Sequence, residues 1–445
     1  MRERLSERRR SVTESTPVGP AADDGQNAES RRRLWGSREY RAWFASDSLS
    51  QIGTFVGGFA FTLLGFHVTG DVLLAGVVGS IAALAQCLAL LPGGVLIDRV
   101  DRRRLLLVSG AVAAAVWAMT AALLLTGAMT AAVLMVLAAA SGLVTGALEN
   151  LSDAMLPQVV PGDLLPAATA ANEGRDAGLQ LGAAPLSGLL FGVHPVLPFV
   201  VSAVARVGQF FAALSLRGDY AAERGLDGTR RWTAGIRWLI RWGQPRTLVL
   251  LVAGVNVALA MCGTAIILSQ QARGTAAWQI GLIQTFQGVG VLLGAVLLMG
   301  VMPRLSGAWI IRCAVVAMGI AVGAAAFTQD MWTIAVIGLL ASLPIIPLNA
   351  VQGAYVSLLI PNRLRGRVLA ATALVTAVLA APASALAGIL LELFGYPAAI
   401  VTAAAILLGV GAIAICSRSV GSVPRASDFD DCVPLEETGT KADPS

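Results

Sequence analysis

Between two apolar stretches of bilayer length, at 72–97 and 105–126, the chain reads Gly94-Val95-Leu96-Ile97-Asp98-Arg99-Val100-Asp101-Arg102-Arg103-Arg104, with six charged residues among its last seven. An apolar stretch of about 20 residues crosses a bilayer as a helix, because only helices and closed barrels satisfy the backbone in lipid. Charge packed between two such stretches marks a tight loop outside the lipid. Positive charge gathers on the side that is not translocated, so the same loop orients the whole chain.

Composition points the same way. Hydrophobic residues make up 56% of the chain and charged residues 13%, with mean hydropathy +0.73, whereas soluble domains carry roughly 25% charged residues. A soluble enzyme is excluded. The net charge of +5 arises from arginines beside apolar stretches and one lysine, Lys441. Topology explains that distribution better than nucleic-acid binding does.

Apolar runs separated by turn and charge breaks predict twelve spans, at 42–67, 72–97, 105–126, 130–151, 167–192, 196–216, 246–271, 278–302, 308–327, 331–358, 368–394 and 397–416. If the amino terminus is cytoplasmic, the only arginine in an outer loop is Arg273. An even number of spans with both termini cytoplasmic follows. Residues 1–36 and 417–445 lack apolar patterning and are expected to be disordered tails. The central loop, 217–245, holds Trp232, Ile236, Leu239 and Ile240 on one helical face and Arg230, Arg237 and Arg241 on another. It predicts an interfacial helix on the inner leaflet, the alternative being a solvated basic linker.

The chain also repeats at an offset near 200 residues. Gly94 is echoed by Gly294, Val160-Pro161 by Ile360-Pro361, and Ala183-Ala184-Pro185-Leu186-Ser187 by Ala380-Ala381-Pro382-Ala383-Ser384. Two six-helix halves in the same orientation, 37–216 and 246–416, are implied, with a substrate site between them at mid-membrane. The predicted fold is an all-α membrane protein of twelve transmembrane helices in two pseudo-symmetric six-helix bundles.

Over about residues 37–416 the chain resembles the major facilitator superfamily, and within it the twelve-span drug, macrolide and siderophore exporter branch. Gly94-x-x-x-Asp98-Arg99-x-Asp101-Arg102-Arg103 is similar to the superfamily's signature loop, and Leu156-Pro157-Gln158-Val159-Val160-Pro161 and Leu364-Arg365-Gly366-Arg367-Val368 to two further stretches. The opening Ser37-Arg38-Glu39-Tyr40-Arg41-Ala42-Trp43 also fits. Asp47 stands where an amide is usual and Thr54 where an aspartate is usual. The exporter signature of the fifth helix survives loosely, as Gly178-x-x-x-Gly182-Ala183-Ala184-Pro185-x-x-Gly188. The resemblance implies alternating access and favours export.

Elementary electrostatics gives the loop a role. Asp98 is positioned to accept hydrogen bonds from the exposed amides that begin the eleventh span, around Gly366 and Arg367, where the helix dipole favours negative charge. Arg102 or Arg103 is expected to pair with Glu149 or Asp153. With Gly94, Arg99 and Asp101 these residues form an expected conformational latch, the alternative being that the charges only set topology.

Charge at bilayer depth is costly unless it faces a partner or a wet cavity. The residues in question are Asp47, Glu173, Arg175, Asp176 and Arg206, with Asp176 and Arg206 the expected buried ion pair. Glu173, Asp176 and Gln180 share one face of their helix, beside a small-residue stripe of Gly174, Gly178 and Gly182 that is expected to admit another helix. Asn256, Gln284, Gln287, Asn349 and Gln352 supply neutral polar groups in other spans. The acids are read as cavity or proton-coupling groups or as structural pairs, and the amides as cavity groups or helix-to-helix hydrogen bonds.

Both histidines, His67 and His194, fall near the predicted outer surface without catalytic or metal-binding spacing. No nucleotide-binding Gly-x-x-x-x-Gly-Lys loop occurs. The sequence therefore predicts no cofactor, no metal, no catalytic residue and no requirement for an ATPase. It describes a plasma-membrane antiporter whose partners are a small organic substrate, protons and the bilayer. The rival readings are an uptake permease and, in a different class, a membrane sensor or a permease subunit needing a partner.

Overall fold

The structure is a computed structural model and describes residues 29, 32–148, 151–218, 220, 232–301, 305–361, 364–425 and 435. These are helical throughout apart from turns, and the one β-type pairing among them is an isolated bridge between Ser306 and Arg425. The first seven helices are α1 (Arg38–Thr69), α2 (Val72–Arg99), α3 (Arg102–Leu125), α4 (Ala131–Leu148), α5 (Leu151–Val159), α6 (Leu165–Val193) and α7 (Leu197–Leu214). A short α8 (Trp232–Arg241) leads into α9 (Gly243–Ala272), α10 (Ala277–Val301), α11 (Gly307–Ala324), α12 (Met331–Ser342), α13 (Ile345–Leu359), α14 (Arg365–Ala380), α15 (Ala383–Cys416) and α16 (Arg418–Gly421).

Ten helical stretches are long and apolar enough to cross a membrane, α4 with α5 and α12 with α13 each making one crossing. An eleventh, α6, is set apart by the charged Glu173, Arg175 and Asp176 and the polar Asn172 and Gln180. The twelfth comes from the last of the ten, Arg365–Cys416, whose 52 residues would reach about 78 Å at about 1.5 Å per residue, more than twice the hydrocarbon thickness of about 30 Å. Gly395, at φ 78°, ψ 178°, breaks it into two crossings, and the following Pro397 fits the first turn of the returning helix.

Close helix packing repeats in the two halves. A Cβ at Gly93 on α2 would stand 2.2 Å from the Ala147 carbonyl oxygen, and one at Gly294 on α10 would stand 2.1 Å from that of Leu343. The residue equivalent to Gly294 is thus Gly93. Gly94, expected in that role, points into open space, because one residue turns a helix by about 100°.

The halves meet at the end opposite the arginine-rich loops. There the Leu63 carbonyl accepts from Gln271 Nε2 (2.7 Å), the Leu181 carbonyl from Thr285 Oγ1 (2.8 Å), and Ser80 Oγ from the Ala385 amide (2.7 Å). Gly188 lets α6 press on the start of α10, its would-be Cβ 2.3 Å from the Ala277 carbonyl oxygen. Towards the arginine-rich end Gly94, Gly174, Gly178 and Gly366 have no such neighbour within 4 Å among the described residues. The bundle is closed at one end and parted at the other. The stripe of Gly174, Gly178 and Gly182, expected to pack, faces open space, and α6 meets α10 through Leu181, Ala184 and Gly188 nearer the closed end.

The apolar core follows this arrangement. The second half has one continuous cluster, from Trp238 to Val423. The first half has two. One lies toward the arginine-rich end around Tyr40, Trp43, Met155 and Leu216, the other toward the closed end around Phe61, Leu64, Trp117 and Phe199, where Ile267 and Ile280 join from the second half.

The linker helix α8 packs with Trp238 and Leu239 buried, while Ile240 is exposed. Its Gly235 lies against the Arg367 carbonyl at the start of α14, where a Cβ would stand 2.2 Å away. Arg230 lies outside the described residues. Two stretches expected to belong to disordered tails are folded. Residues 32–36 are helical with Leu34 buried, and Val423 and Pro424 accept from the Ala308 and Gly307 amides.

Candidate functional site

Between the two apolar clusters of the first half sits a band of polar side chains from α1, α3, α6 and α7. On α1 the small polar residues Ser46, Ser50 and Thr54 recur every four positions and Asp47 lies beside them, so one helix face carries them all. Arg175 on α6 is the hub. Its Nη2 meets Asp47 Oδ2 at 2.6 Å and Asp176 Oδ1 at 2.9 Å, its Nε donates to the same Asp176 oxygen at 2.9 Å, and its Nη1 donates to Ser48 Oγ at 3.4 Å. The guanidinium carbon lies 5.0 Å from the centre of the Phe44 ring, a distance suited to cation–π attraction. Asp47 is 5% exposed.

Arg206 on α7 is equally buried and differently partnered. Its Nη1 donates to Ser50 Oγ at 2.6 Å and to Gln209 Oε1 at 2.9 Å, and its Nη2 donates to Thr54 Oγ1. Gln209 passes the network on to Ser109 Oγ on α3 at 3.0 Å. The expected ion pair between Asp176 and Arg206 is not made. Asp176 is taken by Arg175, its neighbour in sequence, and Arg206 lies in a cradle of neutral groups where Gly53 leaves room for the guanidinium.

Two cavities adjoin this band. One of about 210 Å³ is lined by Asp47, Ser50, Thr54, Ser109, Arg206 and Gln209, among others. The second, about 330 Å³, is lined by Phe61, Trp117, Gln86 and Ser141 from the first half and by Thr264 and Ser384 from the second. Thr54 and Thr145 line both. A volume above about 300 Å³ with an aromatic wall and a few convergent polar groups suits an organic ligand.

Other residues singled out by the sequence lie apart from this band. Glu173 and Gln180 are exposed on α6. Asn256 is exposed and donates to the Val252 carbonyl of its own helix (2.9 Å). Gln284 is half-buried, Asn349 exposed and Gln352 buried. Gln287 lines a separate cavity of about 110 Å³ in the second half. Ser50, Thr54, Ser109 and Gln209 are not among the site residues expected from sequence, although Thr54 stands out there and the four-residue spacing along α1 is a legible signal.

The expected latch is not closed. Asp98 and Arg99 are exposed at the end of α2, and among the described residues Asp98 has no hydrogen bond to the start of α14, since the halves are parted there. Asp101 instead caps its own helix, accepting from the Arg104 amide (2.8 Å). Arg102 donates to the Ala154 carbonyl (2.7 Å) and Arg103 to that of Leu214 (3.0 Å), in place of the expected carboxylates. Asp153 is exposed, and Glu149 lies outside the described residues.

A further pair secures the chain as it leaves α7. Tyr220 Oη donates to Glu39 Oε2 at 2.7 Å, and the Arg217 amide donates to the same carboxylate. Burial, reinforced by this bond, pushes the Tyr220 phenol above its ordinary range.

Comparison with known proteins places this architecture. A sequence profile of the family described as transmembrane secretion effector matches residues 37–432. No curated protein sequence matches the chain. Among solved structures, a bacterial homologue of the iron transporter ferroportin in an inward-facing state aligns at 17% identity, covering 84% of this chain and 98% of that one, with a TM-score of 0.67. A bacterial homolog of the human lysosomal transporter Spinster, inward-facing and unoccupied, aligns at 15% identity over 87% and 98%, with a TM-score of 0.65. The nucleoside transporter NupG aligns at 11% identity over 84% and 99%, also with a TM-score of 0.65. At these identities the likeness is one of fold, and with the profile spanning most of its length the chain belongs to the transmembrane secretion effector family of the major facilitator superfamily.

Proposed function

We propose that this protein is a secondary active transporter of the plasma membrane that exports an amphipathic organic compound in exchange for protons. The halves 37–216 and 246–416 alternate access around the cleft between them, and the arginine-rich end, with both termini, lies in the cytoplasm.

The observation that carries this reading is the bifurcated ion pair of Arg175. Asp47 borders the 210 Å³ cavity, and its countercharge is shared with Asp176 on the same guanidinium. A proton on Asp47 dissolves the ionic link between α1 and α6, leaving the weaker contacts of Arg175 with Ser48 and Phe44, while Arg175 keeps a carboxylate partner. Protonation then changes how two helices are tied together without stranding a buried cation. That is the local event a proton-driven carrier needs.

The test compares accumulation of a panel of drugs and metabolites in cells with and without the gene, each with and without a protonophore. Lower accumulation that the protonophore abolishes supports coupled export. Higher accumulation in cells carrying the gene supports uptake, and no change across the panel overturns the transport reading.

A further inference from the structure

Arg206 is 8% exposed, and every hydrogen-bond partner it has is neutral: Ser50, Thr54 and Gln209. Among the described residues its Nε–H has no acceptor. Among the described residues no carboxylate lies within ion-pair distance of it. Asp47 borders the same cavity, but its carboxylate is held by Arg175 at 2.6 Å. A charge buried at bilayer depth with no carboxylate in contact, Asp47 acting on it only from across the cavity, is expensive, and such a residue is a binding-site candidate by default. The guanidinium borders the cavity, and its two hydroxyl partners on α1 keep it in place there.

We propose that Arg206 binds an anionic group, a carboxylate or similarly acidic oxygen, on the transported compound. The hydroxyl of Ser50 completes the anion site, and that of Thr54 holds the guanidinium in place. The apolar body lies beyond Thr54 in the 330 Å³ cavity, against Phe61 and Trp117. A guanidinium beside the Ser50 hydroxyl suits a carboxylate, because Arg presents N–H groups in a plane that matches two oxygens and the Ser50 hydroxyl adds a donor, while the Thr54 hydroxyl gives its proton to the Ser50 carbonyl (3.0 Å) and holds the guanidinium as an acceptor. The inference rests on the transport reading above and names the charge class of the cargo. A membrane potential negative on the arginine-rich side favours the exit of such an anion.

The test is calorimetric titration of the full chain, purified in detergent, with 2-naphthoate, 2-naphthamide and 2-naphthylmethylammonium, which share a ring system and differ in charge. The naphthoate is expected to bind the parent about tenfold or more tighter than the amide. Arg206→Gln should erase that preference and Arg206→Lys should keep part of it. Thr54→Ala is a milder change and should weaken naphthoate alone. Equal binding of acid and amide by the parent, a measurement that needs no variant, overturns the proposal. So does tightest binding of the ammonium compound, which would move the site to the acids around Arg175. Displacement of bound naphthoate by chloride or inorganic phosphate reassigns Arg206 to a small-anion site and overturns its role in cargo binding, while resistance to both supports it. A charge preference that vanishes in Arg206→Gln, combined with unchanged cellular accumulation, would leave the anion site standing and fell only the export reading.

Discussion

Arg175 joins Asp47, 2.6 Å away across the interface of α6 with α1, while the same guanidinium holds Asp176 on its own helix at 2.9 Å. One cation thus serves two carboxylates that differ in what they hold together. Asp47 spans two helices and is buried, bordering the cavity. Asp176 is local and more exposed.

Asp47→Asn keeps the shape and removes the carboxylate. We expect it to abolish accumulation driven by a pH gradient in proteoliposomes and to spare downhill substrate exchange. Glu173→Gln, at an exposed position outside the network, should leave proton-driven transport close to that of the parent. Gradient-driven transport at the parent rate in Asp47→Asn would remove this residue from the coupling step.

Thermodynamic cycles separate the two arginines. Arg175 and Asp47 touch, so their single and double replacements by leucine should show a coupling of about 0.5–3 kcal/mol in detergent unfolding. Arg206 and Asp176 share no partner and should be additive to within about 0.5 kcal/mol. Strong coupling in the second cycle would mean that the pairing is other than the one described.

Gly93→Ala drives a methyl group into the Ala147 carbonyl and should destabilise the protein by about 1–3 kcal/mol, the usual cost of overpacking. Gly94→Ala, with open space beside it, should match the parent or gain up to about 1 kcal/mol from the better helix propensity of alanine. Thermal unfolding of the two neighbours side by side decides whether α2 carries its close contact where described.

Asp98 is exposed and makes no side-chain hydrogen bond or ion pair among the described residues, so with Asp98→Asn thermal stability should stay within about 0.5 kcal/mol of the parent, as at other surface positions. Turnover in proteoliposomes should nevertheless fall, because closure of the arginine-rich end would bring Asp98 against the start of α14. Equal turnover in mutant and parent would show that the latch plays no part in the cycle.

Tyr220→Phe deletes the hydrogen bond to Glu39 and should cost about 1.5–3 kcal/mol, the range for bonds to a charged acceptor. The sign of the pH dependence follows from the raised phenol. Its contribution is fully present below the unfolded-state value of about 10 and declines as pH rises above it, because the unfolded chain then releases the proton first. The stability difference between parent and Tyr220→Phe should therefore be flat from neutral pH to about pH 9 and shrink beyond about pH 10. A difference that grows in alkali would contradict the assignment.

The number of crossings, the arginine-rich end and the two-fold repeat were legible in the amino-acid sequence, because bilayer length and loop charge act on each segment separately. The cost of Asp47 and Arg206 in lipid was legible too, since it depends on residue type and depth alone, whereas Glu173, expected with them, is exposed. Which acid meets which arginine was decided by tertiary structure. That choice depends on the rotational phase of each helix and on which helices pack side by side, and a span of apolar residues constrains neither. Arg175 reaches Asp47 on a helix far away in sequence, Arg206 settles among Ser50, Thr54 and Gln209, and one step along α2 decides that Gly93 packs while Gly94 faces open space. The latch depends on the relative position of the two halves. Local sequence supplies Asp98 and the start of α14, but only the packing of α6, α10, α2 and α15 at the closed end sets them apart.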